Sequence, residues 1–287
     1  WRAGANENTI IKFTTDVTIN GKKLKAGKYG FHVIVNPNNA ATLIFSKNYN
    51  SWGSYFYDSS EDALRVETTM KDHSFTEQLT YEFIDVTANS AVAALNWEKK
   101  QIPFKIEVDV TKNVLAMARK KMQGQDGFNR QTWEQAANYA LRNGGDLNEA
   151  LVWINNAIAG QFYSQQNFNN TNIKASILNK LGKKKEAIAT LDSYVPQASI
   201  LELHQYGRQL IGFDKKDKAL EIFKLNAKKN KGKWPVNYGL GRGYSAKGEY
   251  KKAIKYLKKA LINAPNKGSK DRVQANINKL EKGQDIN

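Results

Sequence analysis

The sequence predicts an α+β protein of two domains, an antiparallel β-sandwich followed by an all-α solenoid. Three observations carry that reading. Apolar residues alternate with period two up to about Thr111 and recur with period 3.6 beyond it. Small residues recur at 32- to 37-residue intervals in the second half, at Ala150, Ala187, Ala219 and Ala253. Charge is also divided: residues 1–110 carry 12 Lys/Arg against 13 Asp/Glu, and the remainder carries 32 against 14. The expected boundaries are a sandwich over 1–110, a helical linker over 111–124 and helical repeats with a C-terminal cap helix over 125–287.

In the first domain, Thr9–Ile19 is rich in β-branched residues and is predicted as one strand, followed by Asn20-Gly21, a pair suited to a tight hairpin turn. Further strands are predicted at 30–35, 42–46, 64–70, 78–86, 91–98 and 102–110, separated by turn residues such as Asn36-Pro37-Asn38-Asn39 and Ala88-Asn89-Ser90. No long 3.6-residue period interrupts them, which is the pattern of a sandwich. Residues 47–57 are crowded with aromatics, and Asp58, Glu61 and Asp62 follow. Two readings of that segment stand. Trp52 and Phe56 plug the core or edge, or the aromatics, Trp52, Tyr55 and Tyr57 among them, stack on a sugar or small ligand.

Four pieces occur here in one order: Trp1-Arg2-Ala3-Gly4-Ala5-Asn6-Glu7; Leu24-Lys25-Ala26-Gly27-Lys28-Tyr29; Trp52-Gly53 with Tyr55 and Tyr57; and Asp62-Ala63-Leu64-Arg65. Together they resemble the bacterial domain of unknown function 2911 family over residues 1–110. The resemblance implies a secreted or periplasmic protein of a Gram-negative bacterium, with further strands ahead of the first motif, and it implies no reaction. The chain opens at Trp1 and not at Met, so a removed leader is the expectation. Arg2, Asn6 and Glu7 are costly to bury unpaired. They are expected to join Asp62 and Arg65 either in a buried network that pins the sandwich or around a pocket.

In the second domain, Leu240-Gly241-Arg242-Gly243-Tyr244, Gly248, Tyr250, Ala253, Leu257, Ala260 and Pro265 fit the 34-residue tetratricopeptide pattern. Gly241, Ala253 and Ala260 fall where two helices cross, and only small side chains let the axes approach. The spacing predicts four helix pairs, near 131–163, 168–196, 200–231 and 234–266, with a cap helix at 269–282. The inner groove of such a stack is lined by the first helix of each pair, here by Arg142, Asn172, Asn179, Lys180, His204, Arg208, Tyr238 and Arg242. Arginine forks among Asn and Tyr suit a carboxylate or phosphate on an extended peptide. The lysine runs, such as Lys183-Lys184-Lys185 and Lys258-Lys259, fall mostly on the second helices and turns, as a solvated outer face.

The chain has no cysteine and three histidines without ligand spacing, so no metal site and no cofactor is expected. No phosphate loop, nucleophile elbow or dinucleotide fingerprint occurs. The expected function is non-catalytic: a binding or scaffold protein of the bacterial envelope, periplasmic or at the cell surface, with an acidic protein or peptide partner. A glycan- or small-ligand-binding sandwich is the alternative, and an enzyme built around Arg2, Asn6 and Glu7 the third. Nucleic acid is not an expected partner, because the basic half lacks aromatics interleaved for base stacking. No transmembrane segment is expected.

Overall fold

The computed structural model describes residues 1–287. It divides into two compact units, Trp1–Ala116 and Met117–Asn287. In the first, β1 (Thr9–Phe13), β2 (Val17–Ile19), β3 (Lys22–Leu24), β4 (Gly27–Val35), β5 (Ala40–Ser46), β6 (Asp62–Thr69), β7 (Lys71–Val86) and β8 (Ser90–Glu107) form two four-stranded antiparallel sheets. Their orders are β1-β4-β5-β6 and β3-β2-β8-β7. The core between them comes from alternate residues, with Phe31, Val33, Leu43 and Phe45 from one sheet and Ile19, Leu95, Ile102 and Phe104 from the other. Phe31 meets both Phe45 and Phe104, with ring centroids 5.3 and 5.6 Å apart.

Two differences from the expected strands have local causes. Thr9–Ile19 is not one strand, because β1 and β2 lie in different sheets. The chain turns between them at Asp16, whose carboxylate accepts the Ala26 amide and the Lys25 ammonium, both at 2.9 Å. Residues 91–98 and 102–110, by contrast, merge into β8, which passes Glu98 in a left-handed conformation (φ 56°) without ending. Asn20-Gly21 does turn the β2–β3 hairpin, with φ of 42° and 82°, the positive values such a turn requires.

The second unit is helical throughout, and α1 (Val110–Met122) runs across the division. The pairs are α2 (Arg130–Asn143) with α3 (Leu147–Ala159), α4 (Phe168–Lys180) with α5 (Lys184–Asp192), α6 (Ile200–Gly212) with α7 (Lys216–Lys229), and α8 (Trp234–Ala246) with α9 (Tyr250–Ile262). The cap helix α10 (Lys267–Glu281) follows. Caps explain the starts: Asn129, Asp146 and Asn266 accept first-turn amides, and Asn167–Asn170 and Ser199–Glu202 form capping boxes.

The four spaced alanines, Ala150, Ala187, Ala219 and Ala253, are each fully buried at helix contacts. A Cβ on Gly241 would come within 2.5 Å of Leu257, so α8 and α9 approach there as only glycine permits. Ala253→Leu is therefore expected to overpack the α8–α9 pair and cost about 1–3 kcal/mol, read as a lowered denaturation midpoint. An unchanged midpoint would place the crossing elsewhere. No helix is long and apolar enough to cross a membrane.

Candidate functional site

In the β-sandwich unit, the segment ahead of β1 is pinned along β4. The Trp1 ammonium donates to the Val33 carbonyl at 3.1 Å, and the Val33 amide donates to the Trp1 carbonyl at 2.8 Å. Ala3 is fully buried, and its carbonyl accepts the Tyr81 hydroxyl at 2.6 Å. Burial, more than any other influence, pushes the Tyr81 phenol up. Asn8 ties this segment to the aromatic loop, its amide donating to the Ser51 carbonyl at 3.2 Å and its side chain to the Asn48 carbonyl at 3.3 Å. Gly53, in a left-handed conformation (φ 60°), lies under the Arg2 side chain.

Asp62, Arg65 and Tyr57 do meet. The Tyr57 hydroxyl donates to the Asp62 carboxylate at 2.8 Å, and Arg65 donates to both Asp62 and Tyr57 at 2.5 Å. Burial and then the Asp62 carboxylate raise the Tyr57 phenol. Arg2, Asn6 and Glu7 stay outside this network. Asn6 and Glu7 face solvent, and the Arg2 Nε is buried without a protein partner. The network is thus a surface brace and not the buried cluster that was one of the two expected arrangements, because Arg65 itself is exposed. Arg2, Asn6 and Glu7 do not join Asp62 and Arg65 around a pocket either.

Trp52 and Phe56 do not plug the core either, being 53% and 74% exposed, and Tyr55 is exposed with them. What anchors the loop is Tyr57 and a pair that sequence reasoning missed: buried His32, whose Nδ1 lies 2.8 Å from the Ser54 hydroxyl and whose ring packs on Tyr57 at 5.2 Å. Burial, helped by the N-terminal ammonium, lowers the His32 pKa. Nothing marked His32 beforehand, since it sits inside an apolar strand run.

In the helical unit, a groove of about 630 Å³ lies along α4, α6 and α8. Its walls include Asn172, Ser176, His204, Arg208, Gln209 and Arg242. Four of the eight residues expected in the groove, Asn172, His204, Arg208 and Arg242, therefore come together. Tyr238 lies beneath them, 5% exposed, as the centre of a stack with Trp234 at 5.3 Å and His204 at 5.9 Å. The Arg242 guanidinium sits 5.2 Å above the same ring. Lys180 instead donates to the Leu141 carbonyl at 2.8 Å, capping the end of α2, and Arg142 binds Asn138 on its own helix. Asn179 is half-buried, its Oδ1 without a protein partner.

Electrostatics single out one end of this groove. Arg208 forms no ion pair, and burial together with the like charges of Arg242 and Arg272 lowers its pKa. Arg272, on the cap helix α10, adds its positive charge to the field at Arg208 from outside the two-helix repeats. His204 donates from Nδ1 to the Pro235 carbonyl at 3.2 Å, which fixes its neutral tautomer. Burial, then Arg242 and Arg208, push its pKa down to about 4. The segment after α10 folds back on α8. There the Ile286 carbonyl and the Asn287 side chain accept from Arg242 at 3.4 and 3.2 Å, and Ile286 is buried. No three His, Cys, Asp or Glu side chains group as metal ligands.

The solved structures with similar folds align on about half to three-fifths of the chain. They include YrrB, described as a TPR protein with an unusual peptide-binding site (21% identity, TM-score 0.39, 57% of this chain and 84% of that one). The C-terminal part of a TPR repeat-containing protein from Cytophaga hutchinsonii aligns at 17% identity and TM-score 0.44, over 60% of this chain and 67% of that one. A tetratricopeptide repeat protein from Parabacteroides merdae aligns at 16% identity and TM-score 0.42, over 61% of this chain and 73% of that one. No curated protein matches the chain. Residues 1–106 match the family described as "Protein of unknown function (DUF2911)", and residues 234–267 match the tetratricopeptide repeat, in the order that the sequence motifs indicate.

Proposed function

We propose that the protein is a non-catalytic binding scaffold of the bacterial envelope whose helical groove holds an extended acidic peptide. The observation that carries this reading is a groove lined by Arg208 and Arg242, neither of them in an ion pair with a carboxylate. The Arg208 guanidinium, without a hydrogen-bonding partner, lies with Asn172 and Gln209, whose side-chain oxygens lack protein partners, and suits a carboxylate-bearing chain that also offers backbone amides. The stack of Trp234, Tyr238 and His204 makes the floor rigid, so little ordering accompanies binding. The envelope location rests on the motifs of residues 1–65 and has its own check: fractionation of the native cell should find the protein outside the cytosol, and recovery in the cytosol with an uncleaved leader would refute it.

The groove is tested with a fluorescent, glutamate-rich decapeptide against the full chain. Each well-placed charge-assisted contact contributes about 1.5–3 kcal/mol, so Arg208→Glu is expected to weaken binding at least tenfold. Arg208 is the cleaner probe, because Arg242 also holds Ile286 and Asn287. Substituting the lysines of α9 should change the salt dependence more than the affinity. If those lysine variants abolish capture while Arg208→Glu does not, the site is the outer face. A second reading, glycan recognition by the aromatic loop, is favoured by the exposure of Trp52, Tyr55 and Phe56. A glycan array with Trp52→Ala as control separates the two.

A further inference from the structure

The second sheet of the sandwich ends in an open strand. β7 is an edge strand of 16 residues, paired only with β8. The other edges are handled differently. β1 and β3 are short, with five and three residues. Carbonyls along β6 are taken by donors reaching over from β3 and the β2–β3 turn: Lys22 donates to the Arg65 carbonyl at 3.1 Å and Asn20 to the Glu67 carbonyl at 3.2 Å. On β7, Thr76 and Thr80 hydroxyls turn back onto the Ser74 and Gln78 carbonyls, but from Leu79 onward no side chain caps the strand. Over that same stretch Thr80–Phe83 hold unbroken register with 93–96 of β8, so the edge is straight there.

An open edge is a template for another strand, and proteins ordinarily blunt it with lysine, proline or a bulge. From Leu79 to Val86 there is neither lysine nor proline, and the irregularities flank residues 80–83, one ending at Thr80 and one between Phe83 and Asp85. Phe83, Ile84 and Val86 are 67%, 42% and 69% exposed, and Phe75 lies further back on the same strand. The charges are of one sign. Glu77 and Asp85 form no ion pair, the Glu82 carboxylate accepts the Asn96 side-chain amide at 2.5 Å, and the strand's one lysine, Lys71, is at its far end. A second copy of β7 would bring carboxylates against carboxylates, which cross-strand pairing disfavours.

We infer that β7 is a β-augmentation site for an extended segment alternating basic and β-branched side chains, which adds antiparallel along residues 79–86. Backbone amides and carbonyls of the edge supply the pairing, the exposed aromatics and aliphatics hold the β-branched residues, and Glu77 and Asp85 select the basic ones. This site is independent of the arginine groove and takes a ligand of opposite charge.

The test uses the full chain and a blocked octapeptide alternating lysine with valine, with backbone amide exchange as the readout. Saturating peptide is expected to slow exchange across residues 79–86 at least tenfold. Glutamate in place of lysine, or N-methylation of alternate peptide amides, should remove that protection. The double variant Glu77→Lys with Asp85→Lys should weaken binding at least tenfold. The N-methylated peptide needs no change to the protein, so it decides the matter even if that variant folds poorly. Unaltered exchange in β7, equal binding of the N-methylated peptide, or protection confined to the helical unit would each overturn the assignment. So would a peptide-free dimer by sedimentation in which the β7 amides are already protected, since the occupant would then be a second copy.

Discussion

Replacing Glu134 by Ala is expected to destabilise the helical unit by about 3–5 kcal/mol, the range for breaking a buried charged cluster by removing one partner. Glu134, on α2, is 7% exposed. Its Oε1 accepts the side-chain amides of Asn167 and Asn170 at 3.1 and 3.0 Å, and its Oε2 that of Asn169 at 3.2 Å. Arg130 lies 3.0 Å from the same carboxylate, off-axis, as an ion pair and not a hydrogen bond. Asn167 and Asn170 are also the capping box that starts α4, so one carboxylate joins the first repeat to the second. Alanine leaves three amide donors without this acceptor and a guanidinium without its counter-charge. Glu134→Gln, which keeps one oxygen, should lose less. Urea unfolding of both variants at constant m-value decides it, and a loss below about 1 kcal/mol for alanine would show that water replaces the carboxylate.

A second large effect is expected from pH, through His204. Its pKa in the folded protein is about 4, and an exposed histidine titrates near 6.5. Between these values the unfolded chain takes up a proton that the folded one refuses, so stability is full above about pH 6.5 and falls as pH drops towards 4. The loss from this one group reaches about 3 kcal/mol at pH 4, taking 1.36 kcal/mol per unit. What enforces neutrality is first burial of the ring, packed against Phe223 and Tyr238, and then the like charges of Arg242 and Arg208. Carboxylates titrate in the same window, so the comparison is with His204→Gln. The difference in stability between the two proteins should shrink by that amount between pH 7 and pH 4. A difference that stays constant with pH would mean that His204 already titrates freely.

The repeat half was legible because its constraint is one of size at fixed intervals. Ala150, Ala187, Ala219 and Ala253 each have to be small where helices cross, and spacing alone reveals that. The sandwich was legible as a class but less so as strands. The polar run Lys99-Lys100-Gln101 separated two expected strands, yet β8 continues through it, since a hairpin needs only backbone pairing and not alternating burial. The sites were harder. Arg208 and Arg242 are 34 residues apart and announce themselves, whereas the charge of Arg272 reaches Arg208 from a helix outside the repeat. Asn8, His32 and Ser54 are brought together only by the folding of three distant segments, and no local pattern precedes that. Glu134 and the Asn167–Asn170 cluster had the same difficulty across 33 residues.

The placement of the tryptophans gives the two units separable optical signatures. In the helical unit, Trp153 is 5% exposed, with the Arg119 guanidinium 5.8 Å from its ring, whereas in the sandwich Trp52 and Trp97 are each at least half in water. Indole emits at short wavelength in an apolar surrounding and at long wavelength in water. The emission of Trp52 and Trp97 should therefore already resemble that of an unfolded chain, and the red shift on denaturation should report chiefly the melting of the helices. Trp1, stacked on Trp97 at 5.6 Å, adds a different signal for the sandwich: an indole–indole exciton couplet in far-ultraviolet circular dichroism, which vanishes when that pair separates. Emission and dichroism recorded on one sample would thus follow the two units separately.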